Sequence, residues 1–154
     1  MEAVRIFCKS DTSLSVAIRC GQVVLAPNDP NDPTQHWSRD FNSVGRLFDN
    51  ERQNKAFVLM NNATQQAMAV KPSANSQVSL VPYNCDSIVD LTMVWVEGTV
   101  DLGDDFREVK SMKDTSKTLN ALNGYVKDGT LVGYWSSEPD AANAVWKMTP
   151  HCGC

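Results

Sequence analysis

Long apolar runs are missing from this chain of 154 residues; the longest are a handful of residues, too short for a helix that crosses a bilayer. Positive charge is also scarce, since Lys and Arg number 14 against 18 Asp and Glu, for a formal net charge of -4. A nucleic-acid surface carries a basic stripe, so neither nucleic acid nor membrane is an expected partner. Histidine occurs only as His36 and His151, and neither stands at a motif spacing from a nucleophile. No enzymatic activity and no cofactor are expected. The opening Met1-Glu2-Ala3-Val4-Arg5 lacks the charged-then-apolar plan of a secretory signal. Five cysteines (Cys8, Cys20, Cys85, Cys152, Cys154) make an odd count in a chain large enough not to need staples. That points to free thiols in a reducing compartment, so the expected location is cytoplasmic and nuclear. The triplet Asn62-Ala63-Thr64 would carry no glycan there.

What the chain does have is strand signal. Val4–Cys8, Ala56–Met60, Val78–Val81 and Val94–Val96 are short β-branched or aromatic runs punctuated by Gly, Pro, Asn and Asp. The best helical spacing is Leu119 and Leu122 within Ser116–Asn123, but the run is short and stops at Gly124.

The chain also resembles itself. Gln22-Val23-Val24-Leu25-Ala26-Pro27 recurs as Gln77-Val78-Ser79-Leu80-Val81-Pro82, and more loosely as Leu131-Val132-Gly133-Tyr134-Trp135. Each copy is followed by a tryptophan within an apolar strand, Trp37, Trp95 and Trp146. Imperfect repeats of about 50 residues and some four short strands imply a threefold β architecture rather than a solenoid or propeller. One such unit cannot bury its own apolar face, whereas three closing a barrel can. One large aromatic per unit would fill the shared core, so these tryptophans are expected to be structural.

Gln35-His36-Trp37 is a Gln-x-Trp tripeptide, and in this context the chain resembles the Euonymus-type, ricin-B-like lectin domain family. The likeness runs over roughly Val4 to Met148. Its main stretches are Val4–Asp11, Val24–Pro27 through to Trp37, Val78–Asn84, Asp101–Arg107 and Asp128–Val132. The resemblance implies an all-β fold, a β-trefoil of three pseudo-threefold repeats with four short strands each. It further implies binding of mannose- or galactose-containing glycans or glycoproteins, no catalysis, and a nucleocytoplasmic plant protein of the stress response. Residues 1–150 then form one domain with repeats at 4–53, 55–104 and 106–150, and 151–154 are a tail.

A pyranose has one apolar C–H face and a rim of hydroxyls. An aromatic ring takes the face, and a carboxylate or amides take neighbouring hydroxyls. In lectins of this class the acid follows the second strand of a repeat, the aromatic closes the third, and an Asn and a Gln precede the late Trp. The first repeat keeps Gln35 but offers Ala17 for the acid and Ala26 or Pro27 for the aromatic. The second offers Val81 or Pro82, with Met93-Val94-Trp95 in place of Gln-x-Trp, and Tyr83 substitutes only by a shift. Both are expected to be structural. The third repeat has Trp135 at the stacking position, in addition to its core Trp146, and Asn143 three residues before Trp146. Its acid falls at Leu122 and its Gln at Ala144. Asn123 and Asp140 are therefore the candidate replacement partners, the latter in the enlarged loop Ser136–Ala142.

The remaining constellations read as structure. His151-Cys152-Gly153-Cys154 offers soft ligands but not the four that a closed zinc site needs, so no metal is expected. Asn28-Asp29-Pro30-Asn31-Asp32-Pro33 reads as consecutive turns, without the spacing of a calcium loop. Asp101–Asp105 reads as a solvated connection. A Kunitz-type inhibitor would want an exposed, disulfide-held loop, which the odd thiol count opposes. The leading expectation is a lectin whose third-repeat site uses Trp135, Asn143, Asn123 and Asp140, with avidity supplied by homo-oligomers or by neighbouring domains. The alternative is a degenerate lectin fold used as a protein-interaction module, favoured by the missing acid and Gln.

Overall fold

The structure is a computed structural model that describes residues 2–42, 44, 48–49, 54–71, 75–84 and 86–151. Its strands are β1 (Glu2–Cys8), β2 (Asp11–Arg19), β3 (Gln22–Pro27), β4 (Trp37–Asp40), β5 (Phe48–Asp49), β6 (Asn54–Lys55) and β7 (Phe57–Asn61). They continue as β8 (Gln66–Ala69), β9 (Ser79–Pro82), β10 (Val94–Glu97), β11 (Val109–Ser111), β12 (Lys117–Ala121), β13 (Val132–Ser136) and β14 (Trp146–Pro150). The Leu119 region is strand, not helix. Thr118 to Ala121 are all buried and Lys117 to Ala121 pair residue by residue across a hairpin, so strand pairing wins over the three-residue spacing.

Six strands close a ring. β1 pairs with β4, β4 with β7, β7 with β10, and β10 with β11, all antiparallel. β14 pairs with β1 and completes the circle through reciprocal Arg107–Trp146 backbone hydrogen bonds of 2.8 Å. Closure removes open edges from the ring. The hairpins β2–β3, β8–β9 and β12–β13 cover one end. There, bridges join Val24 to Leu131 and Gln77 to Gly133.

Trp37, Trp95 and Trp146 lie in the core at 0%, 0% and 1% exposure. Each follows a short 3-10 turn, Pro33–Gln35, Leu91–Met93 or Ala142–Ala144. Each donates its indole N–H to a buried backbone carbonyl: Val16 at 3.0 Å, Met68 at 3.2 Å and Leu119 at 2.9 Å. The tryptophans are structural because a buried ring needs a partner for its one polar atom, and the preceding strands supply it.

Turns are held by a recurrent Asp-x-Ser/Thr device. Asp11, Asp32, Asp90 and Asp114 accept from the backbone N–H of Ser13, Thr34, Thr92 and Ser116 at 2.9–3.0 Å. The Ser and Thr hydroxyls hold the Asp11, Asp90 and Asp114 carboxyls below the usual carboxylate range. At Asp32 burial works the other way, but hydrogen bonds from Thr34 and Arg19 outweigh it and the pKa is again lowered. Groups with depressed folded pKa values add stability above their unfolded pKa and lose it as pH falls through the folded one. The urea midpoint is therefore expected to fall as pH drops below about 4. A midpoint unchanged from pH 5 to pH 2.5 would contradict that role.

Of the thiols, Cys8 is buried and Cys20 exposed, both free, and burial raises the Cys8 pKa. Cys85, Cys152 and Cys154 lie outside the described residues, so the tail expectation extends only to His151. That ring stacks on His36, with centroids 3.8 Å apart.

Candidate functional site

The indole-to-carbonyl bonds give each hairpin a common landmark: Val16, Met68 and Leu119. One residue before it stand Ser15, Ala67 and Thr118, whose cross-strand partners are Ala26, Val81 and Trp135. Ala26 and Val81, rather than Pro27 and Pro82, are thus the counterparts of Trp135. The third hairpin alone places an aromatic there. Trp135 is 52% exposed, in contrast to the buried Trp146.

One residue after the landmark stand Ala17, Ala69 and Asn120. The counterpart of Ala17 is therefore Asn120, which corrects the placement of the acid position at Leu122. The cause is loop length. Cys20-Gly21, both at positive φ, close the first hairpin in two residues, whereas residues 122–131 separate the paired Ala121 and Val132. Offsets counted through a loop slide; those counted from a packed indole do not. Opposite Ala17 stands Val24, but opposite Asn120 stands Gly133, whose lack of a Cβ lets the Ser76 carbonyl and the Leu122 side chain approach closely.

Asn120 borders a cavity of about 480 Å³ that is also lined by Leu122, Asn123, Trp135, Glu138 and Asn143. Asn75 and Ser76, from the segment before β9, form its far wall. The size suits a small ligand. Asn143 Nδ2 donates to Ala121 O at 2.9 Å and to Asn120 Oδ1 at 3.3 Å. This leaves Asn143 Oδ1 as an acceptor and the Asn120 amide nitrogen as a donor, neither engaged by a described residue. Lys117 Nζ lies 5.9 Å from the Trp135 ring centroid and 3.3 Å from Ser136 Oγ. Trp135, Asn143 and Asn123 are thus brought together. Asn123 sits at φ 70, a left-handed conformation that asparagine tolerates.

Asp140 does not line the cavity. Ala141 N–H bonds Glu138 O at 2.9 Å, and this turn carries Asp140 outward at its tip while Glu138 faces the cavity. Asn120 and Glu138 were not identified from sequence. The landmark count would have found Asn120; nothing in the sequence distinguishes Glu138 from Asp140 without the turn geometry.

Among the described residues, the other hairpins have no such arrangement. Gln35, fully buried, accepts from Ser15 Oγ at 2.5 Å and Asp29 N–H at 2.9 Å. It donates to Pro27 O at 2.9 Å and Asp32 Oδ2 at 3.2 Å. Every site on this amide is occupied by the protein, so Gln35 fastens a turn. Tyr83 is 3% exposed and donates to Asp40 Oδ2 at 2.5 Å, so it offers no stacking face. Among the described residues no group of three His, Cys, Asp or Glu side chains is arranged to hold a metal ion.

No protein-family model matches the chain. Curated relatives do. Ricin B-like lectin R40C1 of Oryza sativa subsp. japonica is 37% identical over 153 residues, 96% of this chain and 42% of that protein. Ricin B-like lectin EULS3 of Arabidopsis thaliana is 32% identical over 152 residues, 96% of this chain and 47% of that protein. Ricin B-like lectin R40G3 of Oryza sativa subsp. japonica is 33% identical over 154 residues, 96% of this chain and 73% of that protein. The chain belongs to the ricin B-like lectin family. It spans less than half the length of the first two of these lectins.

Solved structures agree on the fold of this ricin B-like lectin. A Macrolepiota procera ricin B-like lectin in complex with lactose aligns at TM-score 0.70 and 12% identity, over 96% of this chain and 94% of that one. The BEL beta-trefoil aligns at TM-score 0.65 and 11% identity, over 97% and 92%. The closed ring with its three-hairpin cap is a β-trefoil.

Proposed function

We propose that this ricin B-like lectin binds carbohydrate, holding a mannose- or galactose-containing glycan in the cavity beside Trp135. The observation that carries this reading is the half-exposed Trp135 ring beside an amide pair, Asn120 and Asn143, that turns an unengaged acceptor and donor toward the same space. A ring for the apolar sugar face and paired polar atoms for two hydroxyls are what a pyranose requires. Asn123 and Glu138 extend the polar rim; Asp140, outside the lining, is the weakest of the sequence candidates.

An amide at the acid position weakens the grip. A hydrogen bond to a neutral group contributes about 0.5–1.5 kcal/mol, against about 1.5–3 to a charged one. A millimolar site has only about 4 kcal/mol in total, so single-site affinity is low and multivalent display matters. On a glycan array probed with the purified protein, binding is expected and Trp135→Ala is expected to abolish it. An array blank for the folded wild-type protein would refute the proposal.

A second reading has its own observation. Leu122 lies within the cavity lining, apolar among amides, and suits a protein surface better than a sugar. In that case the domain is a protein-interaction module, and Trp135→Ala would impair partner capture while the array stays blank.

A further inference from the structure

The cavity beside Trp135 is not closed at its loop end. A second depression of about 330 Å³ adjoins it and shares Leu122, Asn123 and Leu131 with it. At the far side of this second depression stands Tyr125, 75% exposed. We propose that the two form one groove, with Trp135 and Tyr125 as stacking platforms for an oligosaccharide of at least three sugars. This rests on the carbohydrate reading above and specifies the length of ligand that the site takes.

The backbone that carries Tyr125 is held in place. The buried Thr130 hydroxyl donates to the Tyr125 carbonyl at 3.1 Å and accepts from the Lys127 backbone N–H at 2.9 Å. Gly129 N–H bonds Leu25 O at 2.8 Å, and Leu25 N–H bonds Thr130 O at 2.9 Å, tying this loop to the first hairpin. Asn123 and Gly124, both at φ 70, turn the chain between the groove floor and the tyrosine. A loop pinned at this many backbone positions presents its aromatic with little ordering cost on binding.

Each platform also has a lysine of its own. Lys117 Nζ lies 5.9 Å from the Trp135 centroid, and Lys127 Nζ lies 5.6 Å from the Tyr125 centroid. Each ring thus has an ammonium donor near it for hydroxyls of the sugar that it carries. Between the rings lie Asn123 and the floor residue Leu122, where the middle sugar rests with amide contact on its rim.

The test compares mannose and galactose with mannotriose and with a trisaccharide of galactose and N-acetylglucosamine, by calorimetry on the whole chain. A trisaccharide is expected to bind about tenfold tighter than its parent monosaccharide, since it reaches a second aromatic ring. Tyr125→Ala should erase that gain and leave monosaccharide affinity unchanged. Tyr125→Phe should keep it, and Trp135→Ala should remove binding of both ligand lengths. An equal trisaccharide gain in wild type and Tyr125→Ala overturns the groove while the carbohydrate reading stands. Failure of the wild-type protein to bind any of these sugars, or any glycan on an array, overturns both.

Discussion

Trp95→Ala is expected to lower folding stability by about 3–5 kcal/mol, the usual cost of deleting a large buried aromatic. The ring is fully buried on β10, which is paired with β7 on one side and β11 on the other. Two losses combine. The cavity left behind is walled by paired strands that cannot collapse into it, and the Met68 carbonyl loses the indole N–H that satisfied it. A domain of this size holds roughly 5–15 kcal/mol in total, so the variant sits near the edge of folding. Thermal unfolding should fall by roughly 10 °C or more. A urea midpoint corresponding to less than about 1 kcal/mol of loss would mean that the tryptophan is not the keystone of its unit.

Gly133→Ala is expected to destabilise the fold less, but to damage the site as well. A Cβ at this position would lie 2.2 Å from Ser76 O and 2.7 Å from Leu122 Cδ1. Ser76 O accepts from Tyr134 N–H at 2.9 Å, so the clash is with a backbone oxygen already committed to its place. The segment around Ser76 must move off β13, at a cost of about 1–3 kcal/mol by analogy with overpacked cores. Asn75, Ser76 and Leu122 all line the cavity, so its shape changes with them. Calorimetry with the tightest glycan found on the array should show at least a tenfold weaker Kd, alongside the lowered urea midpoint. Retention of both would show that the groove tolerates widening.

Much of the fold is legible in the sequence because one physical requirement repeats. A buried indole needs an acceptor, and Trp37, Trp95 and Trp146 meet that need in the same way. The recurrence is therefore written at matched spacing. Trp135 is legible as the ring in excess of that need. Asn120 was missed because counting ran through residues 122–131, a loop whose length obeys closure rather than repeat register. Glu138 and Tyr125 were missed for a related reason. Which side chain of a turn faces a cavity depends on backbone hydrogen bonds, such as Ala141 N–H to Glu138 O, that no residue pattern announces. Core positions repeat because packing is shared, while rim positions vary because each loop is its own solution.

The pairing of β1 with β14 joins the two ends of the described chain, with Val4 opposite Pro150 and Cys8 opposite Trp146. His151 N–H adds a bond to Ala3 O at 2.9 Å. Contacts of such sequence separation form late, because the loop that they close is nearly the whole domain. During synthesis β1 must therefore wait, one edge unpaired, until β14 at the far end of this domain has left the ribosome. Its alternation of buried Val4, Ile6 and Cys8 with more exposed neighbours makes it a template for a foreign strand in that interval. The fastening that makes the finished ring edgeless is also the step at which a nascent chain is most open to mispairing.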